Sequence, residues 1–158
     1  MYADYTFYTT TYYGTIISST DFPRLEDIAS DKLYHLTMGR IDMYLVEDSS
    51  GNMVLDDSKV STNIKKAVCK IAELIYDIEK AEEVYRKSLE TATSTGVSAT
   101  GKVASITAGS ESITYFNSSS GESTVASMAT ADYKTQDQYF FESIRMYLGW
   151  TGLLSQVL

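Results

Sequence analysis

The feature that most constrains the fold is a long apolar stripe between residues 60 and 85. Apolar side chains recur there every three or four residues, which places them on one face of an α-helix. The positions of the stripe are Val60, Ile64, Ala67, Val68, Ile71, Leu74, Ile75, Ile78 and Ala81. Asp56, Asp57 or Ser58 can begin this helix, since each offers a side-chain oxygen to its first backbone N–H groups. The stripe predicts a mainly α protein, in which this helix packs in a small helical bundle.

Another amphipathic helix is predicted to begin near Pro23, because a proline loses nothing in a first helical turn, where its N–H would have no partner. Asp21 stands at the capping position, and Gly39 is expected to end the helix or bend it near Ile41. The apolar face of this helix comprises Phe22, Leu25, Ile28, Ala29, Leu33, Leu36 and Thr37. The polar residues 47–52 that follow are typical of a turn.

Tyrosine and threonine dominate residues 2–14. Both favour extended backbone and are poor in helix interiors, so this segment predicts an extended N-terminal arm. Tyrosine buries a large apolar body and keeps a polar tip, which suits an arm that lies across another surface. The sequence leaves two receiving surfaces open: the core of the same chain and a neighbouring subunit.

Serine and threonine account for 18 of the 40 residues from 91 to 130. Two short runs within this stretch, 103–106 and 112–116, flank Gly109 and predict a β-hairpin excursion. A lone two-stranded hairpin is marginally stable in water, so this one is expected to lean on its own helices or on another chain.

A last helical region is predicted from about Ser123 to Leu148, as one helix or as two that divide near Asp132. Its apolar face comprises Phe140, Phe141, Ile144, Tyr147 and Leu148. Residues 150–158 form an apolar C-terminal tail. Exposed tryptophan and leucine side chains favour association, so the tail is expected to dock on its own domain or on a partner.

The length and charge of the chain indicate how many domains it forms and which binding surfaces it lacks. The 158 residues are expected to form one domain. Its segments are an arm (residues 1–20), a helical core (21–90), a Ser/Thr-rich loop with the hairpin (91–122), a C-terminal helical region (123–149) and a tail (150–158). The formal charge of −8 argues against a broad surface for DNA or an anionic membrane, since both need many basic contacts. Neither a membrane span nor a signal peptide is expected.

Few residues are suited to catalysis or cofactor binding. The only cysteine, Cys69, lies in the apolar stripe and is predicted to be a small core residue. The only histidine, His35, lies in a helix, and no GxSxG serine accompanies it, which favours an ordinary helical histidine over a catalytic one. Phosphate-binding glycine motifs are missing, and the acidic loop 47–57 would place Val46 where a calcium loop needs aspartate. The sequence therefore predicts no catalytic residue, no cofactor and no metal site.

Several segments, taken in order along the chain, carry a resemblance to a known family. They are residues 12–15 (YYGT), 22–41 (from FPRL to TMGRI), 64–73 (IKKAVCKIAE), 109–115 (GSESITY) and 144–154 (IRMYLGWTGLL). This series resembles the head–tail connector (adaptor) proteins of tailed bacteriophages. Residues 79–102 carry no signal of that family.

The resemblance implies a single head–tail connector domain that acts as a structural protein of the virion neck. Such a protein assembles in the host cytoplasm into a ring, commonly of twelve copies, between the portal and a stopper or tail component. The ring extends the DNA channel and joins head to tail. DNA passes through such a channel without specific binding, and an acidic protein suits that role because like charges repel.

Carried over by position, the resemblance implies two sets of contacts. The portal contacts would be Trp150, Leu153, Leu154, Val157 and Leu158. Tyr115 and Phe116 would touch a neighbouring subunit or the next ring, and Tyr2, Tyr5, Tyr8 and Tyr12 would lie at either kind of interface. Two other readings stay open: a small soluble helical module that binds one partner through its apolar tail, and an enzyme with an unrecognised site.

Overall fold

A computed structural model describes residues 2–94, 105–108, 111–114 and 133–154 of the chain. The protein is mainly helical with a small antiparallel hairpin, which confirms the predicted fold class. The chain divides into two compact units. Met1–Asp77 and Asp132–Leu158 form the first unit, and Ile78–Ala131 form the second.

The extended arm predicted for residues 2–14 is wrong at its centre, where Tyr5–Thr10 form helix α1. Asp4 caps this helix, since its carboxylate accepts a hydrogen bond from the Phe7 N–H at 2.7 Å. The Tyr8 side chain is fully buried, and its ring centroid lies 4.8 Å from that of Phe22. Tertiary packing of Tyr8 thus outweighs the low helix propensity of tyrosine and threonine.

Helix α2 spans Phe22–Leu36, close to the predicted bounds. Asp21 occupies the cap position, but its side chain makes no capping bond to the helix and instead accepts a hydrogen bond from the Ser18 hydroxyl at 2.8 Å. The helix is followed by Gly39, whose φ of +73° lies in the left-handed region that favours glycine. Ile28 was predicted on the buried face and is 41% exposed, so that assignment is wrong.

Two short strands follow a 3₁₀ helix, Arg40–Tyr44. Strand β1, Leu45–Glu47, pairs antiparallel with strand β2, Met53–Leu55. The register sets Val46 opposite Val54, so these two side chains share one face of the hairpin. The sequence prediction contained the turn but neither strand.

The turn predicted at residues 47–52 is present, and Asp48 holds it. The Asp48 carboxylate accepts hydrogen bonds from the N–H groups of Ser50 at 2.8 Å and Asn52 at 2.9 Å. These backbone bonds stabilise the charged form and keep the pKa of Asp48 below its ordinary value.

Helix α3 spans Lys59–Ser94. Ser58 caps it, since its hydroxyl oxygen accepts the Ser61 N–H at 3.1 Å, which confirms one of the three predicted starts. The helix continues beyond the apolar stripe and runs past residue 90, the predicted end of the helical core. The buried positions of the predicted stripe are Ile64, Ala67, Val68, Ile71, Leu74 and Ile78.

Strands β3, Ser105–Ala108, and β4, Glu111–Thr114, form the predicted antiparallel hairpin. Helix α4 spans Tyr133–Leu148 and buries Phe140, Ile144 and Leu148. The predicted start of the last helical region, at residues 123–132, lies outside the described residues.

Candidate interaction surfaces

The described residues that were implied as portal contacts have different environments. Trp150 is 65% exposed, whereas Leu153 and Leu154 are buried within their own chain. Buried side chains offer no surface to a portal, so the structure overturns that assignment for Leu153 and Leu154 and makes them anchors of the tail. Val157 and Leu158 lie outside the described residues.

The chain around Trp150 is held on both sides by hydrogen bonds. The Gly149 N–H donates to the Arg145 carbonyl at 2.8 Å. The N–H and hydroxyl of Thr151 both donate to the Leu148 carbonyl, at 3.0 and 2.7 Å. Trp150 is therefore presented to solvent from a fixed backbone at the end of α4.

The arm tyrosines have different fates. Tyr8 is fully buried in its own chain, so the prediction that it contacts another subunit is wrong. Tyr2, Tyr5 and Tyr12 are half-buried and keep part of their surface accessible. Of the two receiving surfaces left open by the sequence, the core of the same chain is the one that receives Tyr8. Residues 115 and 116, implied at the same interfaces, lie outside the described residues.

A buried carboxylate on α3 fixes the middle of this N-terminal segment. Glu73 accepts hydrogen bonds from the hydroxyls of Tyr8 at 3.0 Å and Tyr12 at 2.9 Å. The Tyr8 hydroxyl in turn accepts the N–H groups of Ile16 and Ile17, each at 3.1 Å. Burial, with the neighbouring Glu73 charge, raises the pKa of Tyr8 to about 12 and raises that of Tyr12 as well.

A second buried carboxylate, on α2, holds the beginning of the segment. One oxygen of the fully buried Glu26 accepts hydrogen bonds from the N–H groups of Tyr2 at 2.5 Å and Ala3 at 3.0 Å, and from the Ser30 hydroxyl at 2.7 Å. Its other oxygen has no hydrogen-bond partner among the described residues. Sequence reasoning missed both Glu26 and Glu73, although each lies between buried apolar positions of a predicted helix.

An open groove of about 490 Å³ lies beside the Glu73 network. We call it the Lys66 groove; its lining includes Tyr12, Tyr13, Ile16, Lys66, Tyr147 and the carboxylate of Glu73, which the Tyr8 and Tyr12 hydroxyls already engage. Tyr13 has a φ of +62°, unusual for a bulky residue, and its side chain is 79% exposed. Because Glu73 is engaged by the two tyrosines, Lys66 is the charged lining group without such a partner among the described residues, and with the exposed Tyr13 and Ile16 it suits a partner that offers an acid and an apolar side chain.

The β1–β2 hairpin forms a second accessible surface. Met43, Val46, Met53 and Val54 are all exposed, while Leu55 is buried. Because the strands are only three residues long, their alternation was too short to be recognised; the signal was the pair of apolar runs on either side of the 48–52 turn.

A second groove, of about 470 Å³, includes His35. Its lining consists of His35, Leu36, Met38, Lys134, Asp137, Gln138, Phe141 and Glu142, with no serine, threonine or cysteine nucleophile among them. The His35 Nε2 atom lies 3.0 Å from the Tyr133 hydroxyl, and the Asp137 carboxylate is engaged by Lys32 at 2.8 Å. The lining of this groove therefore contains no pair of a hydroxyl or thiol nucleophile with a base.

Cys69 is buried, as predicted for a small core residue. Burial raises the pKa of its thiol to about 12, which keeps it protonated and unreactive near neutral pH.

Within the described ranges, no group of histidine, cysteine and acidic side chains is arranged to hold a metal ion. None of the helices formed by those residues is long and apolar enough to cross a membrane. Comparison with protein-family models, with curated proteins and with solved structures gives no match for this chain.

Proposed function

We propose that this protein is a structural component of the bacteriophage neck, a ring between the portal and the stopper or tail that extends the DNA channel. The observation that carries the proposal is the exposure of Trp150 at the end of α4. The sequence resemblance to head–tail connector proteins supplies the class of partner.

An exposed tryptophan is unusual, and its burial by a partner would favour binding. Tryptophan is among the residues most enriched in protein interfaces, where its burial contributes strongly to binding. Met146 lies one helical turn before Trp150 and is also exposed. The two side chains provide an apolar anchor of the kind that a partner surface covers.

The backbone around Trp150 is ordered before any partner binds. Gly149 and Thr151 are hydrogen-bonded to α4, and Leu153 and Leu154 are buried just beyond. A fixed anchor loses less conformational entropy on binding than a free tail, so more of the contact energy goes into affinity.

The charge of −8 agrees with a channel role. DNA must slide through a neck ring, and an acidic wall repels the phosphate backbone instead of holding it.

The proposal is tested by mixing the protein with its cognate portal and imaging the complex by negative stain. We expect a closed ring of copies at one end of the portal. Trp150→Ala should weaken portal binding by about tenfold or more, since truncation of a central aromatic anchor typically has an effect of this size. Ile28→Ala, which truncates an exposed apolar side chain elsewhere in the fold, is the matched control and should bind normally.

Unchanged portal binding by Trp150→Ala would contradict the role given to this residue. A complex in which single copies bind without forming a ring would favour the alternative, a helical module that binds one partner through its tail.

A further inference from the structure

Charge is sharply divided between two adjacent segments of the first unit. Residues 42–57 contain five acidic residues and no basic one, whereas residues 58–72 contain four lysines and no acidic one. In a chain with a net charge of −8, this lysine segment is a local exception. The acidic segment includes the β1–β2 hairpin, and the lysine segment is the beginning of α3.

The described residues of the same chain do not neutralise the lysines. Lys59, Lys65, Lys66 and Lys70 make no ion pair or hydrogen bond with any of them; Lys65 lies 5.8 Å from the Phe7 ring centroid. Lys66 and Lys70 are four residues apart, so they lie on one side of α3. In the part of the chain that the structure describes, this side of the helix therefore presents two lysines that form no ion pair.

The acidic segment also has charged side chains without partners among the described residues. Glu47 and Asp57 are exposed and make no hydrogen bond or ion pair with described residues, whereas Asp48 and Asp56 accept bonds that hold the local backbone. We call β1, β2 and residues 48–52 the acidic hairpin.

Each surface also carries exposed apolar groups. On the acidic hairpin, Met53 lies directly opposite Glu47 and is 60% exposed, so an apolar and an acidic side chain share one face. On the Lys66 groove, Tyr13 and Ile16 are exposed. The Glu47 face of the hairpin and the Lys66 groove therefore offer what favours association: opposite charges at Glu47 and Lys66, and accessible apolar area on both.

We propose that the acidic hairpin of one copy docks on the Lys66 groove of a second copy of the same chain. The occupant is this chain because each copy carries both halves of a complementary pair, and neither half is paired with the other residues that the structure describes. The contact joins two different surfaces, so repetition gives a closed ring when the rotation between copies closes. The inference rests on the proposed function, in which a ring forms, and it names the interface between copies.

The test uses cysteine cross-linking between two variants of the full chain. Met53→Cys places a thiol on the acidic hairpin, and Ile16→Cys places one on the Lys66 groove; both parent side chains are exposed. The native Cys69 is buried and does not react. When the two variants are mixed, one of them carrying a size tag, a short bismaleimide should give mainly the 53–16 heterodimer. Each variant alone should give little homodimer.

Charge reversal provides the matched check. Glu47→Lys and Lys66→Glu should each reduce cross-linking of chains that carry the same reversal by about tenfold, because like charges then face each other. Combining Glu47→Lys on the hairpin partner with Lys66→Glu on the groove partner should restore the heterodimer. Added salt should weaken the wild-type contact, since screening acts on exposed charges.

The reaction is run on the free protein at high concentration and on the complex with the portal. A 53–16 yield no greater than that of the homodimers under both conditions would overturn the inference. Rings at the portal without this cross-link would overturn it while the proposed function stands. A charge-dependent cross-link in a protein that binds no portal would support copy-to-copy docking and defeat the proposed function. Displacement of the cross-link by an acidic peptide at stoichiometric concentration would also overturn it, in favour of a separate acidic partner.

Discussion

Two short segments outside the long helices differ in burial: the N-terminal segment, residues 2–17, and the acidic hairpin. Both are rich in apolar side chains. The N-terminal segment is packed inward, with Tyr8 fully buried. The hairpin turns Val46 and Val54 toward solvent. The two segments differ in the polar groups that need hydrogen-bond partners and in the partners that the core provides for them.

Burying the N-terminal segment requires partners for its N–H and hydroxyl groups, and two carboxylates provide them. Glu26 accepts backbone N–H groups, and Glu73 accepts tyrosine hydroxyls. Hydrogen bonds to charged groups contribute about 1.5–3 kcal/mol each, whereas a buried donor without a partner destabilises the fold. Gly14 completes the fit, since a Cβ there would lie 2.0 Å from the Tyr8 ring. On the hairpin, Asp48 accepts N–H groups of its own turn, and Glu47 is exposed.

The largest effect on stability is expected from removing the buried tyrosine, Tyr8. Tyr8→Ala deletes a fully buried ring and the hydroxyl that links Glu73 to the N–H groups of Ile16 and Ile17. We expect a loss of about 3–5 kcal/mol in the free energy of unfolding, measured by urea denaturation followed by circular dichroism. Tyr13→Ala, which removes an exposed tyrosine five residues away, should change it by less than about 0.5 kcal/mol.

Equal effects of the two substitutions would mean that the N-terminal segment contributes no more to the fold than an exposed side chain does. The inward packing of α1 would then be wrong.

The long helices were predictable because their signals are local and repeated. The apolar stripe of α3 and the Pro23 start of α2 depend on residues a few positions apart. Helix α1 was not predictable in this way, since it forms against Phe22 and Glu73, and Glu73 is 65 residues from Tyr8. A pattern of apolar residues also does not reveal a buried carboxylate such as Glu73. Its polarity predicts exposure, although it lies in the core.

The tail illustrates the same limit at the candidate site. Trp150, Leu153 and Leu154 are all apolar and within five positions, and the sequence assigned them one role. The structure separates them, because the tail contacts a distant part of the chain: the Arg40 guanidinium donates to the Gly152 carbonyl at 3.3 Å. A contact across 112 residues leaves no trace in local periodicity.

A second prediction concerns how the stability of the protein depends on pH when Tyr8 is buried. The pKa of Tyr8 is raised from 10 to about 12 in the folded protein, mainly by burial. The unfolded state therefore loses its proton first, so the contribution of Tyr8 to stability is complete below pH 10 and is lost as the pH rises through 12. Cys69, raised from 9 to about 12 by burial, acts in the same direction from pH 9 upward. Urea denaturation between pH 8 and 12 should show stability falling across this window.

Tyrosinate absorbance gives the independent readout. In the folded protein a fraction of the tyrosines should ionise well above pH 10, and Tyr8→Phe should remove part of that late fraction. A single ionisation of all tyrosines near pH 10 without unfolding would contradict the buried network.

The smallest expected effect is on the hairpin. The double substitution Val46→Thr with Val54→Thr keeps the β-branched pair and replaces one methyl group of each exposed side chain by a hydroxyl, which water can satisfy. We expect the free energy of unfolding to change by no more than about 0.5 kcal/mol. Leu55→Thr on the same strand introduces a hydroxyl at a buried position and should destabilise by about 1–3 kcal/mol, so it is the matched control. If the double variant were as destabilised as the control, the two valines would be core residues of their own chain. A near-neutral effect on folding is what two solvent-facing side chains require.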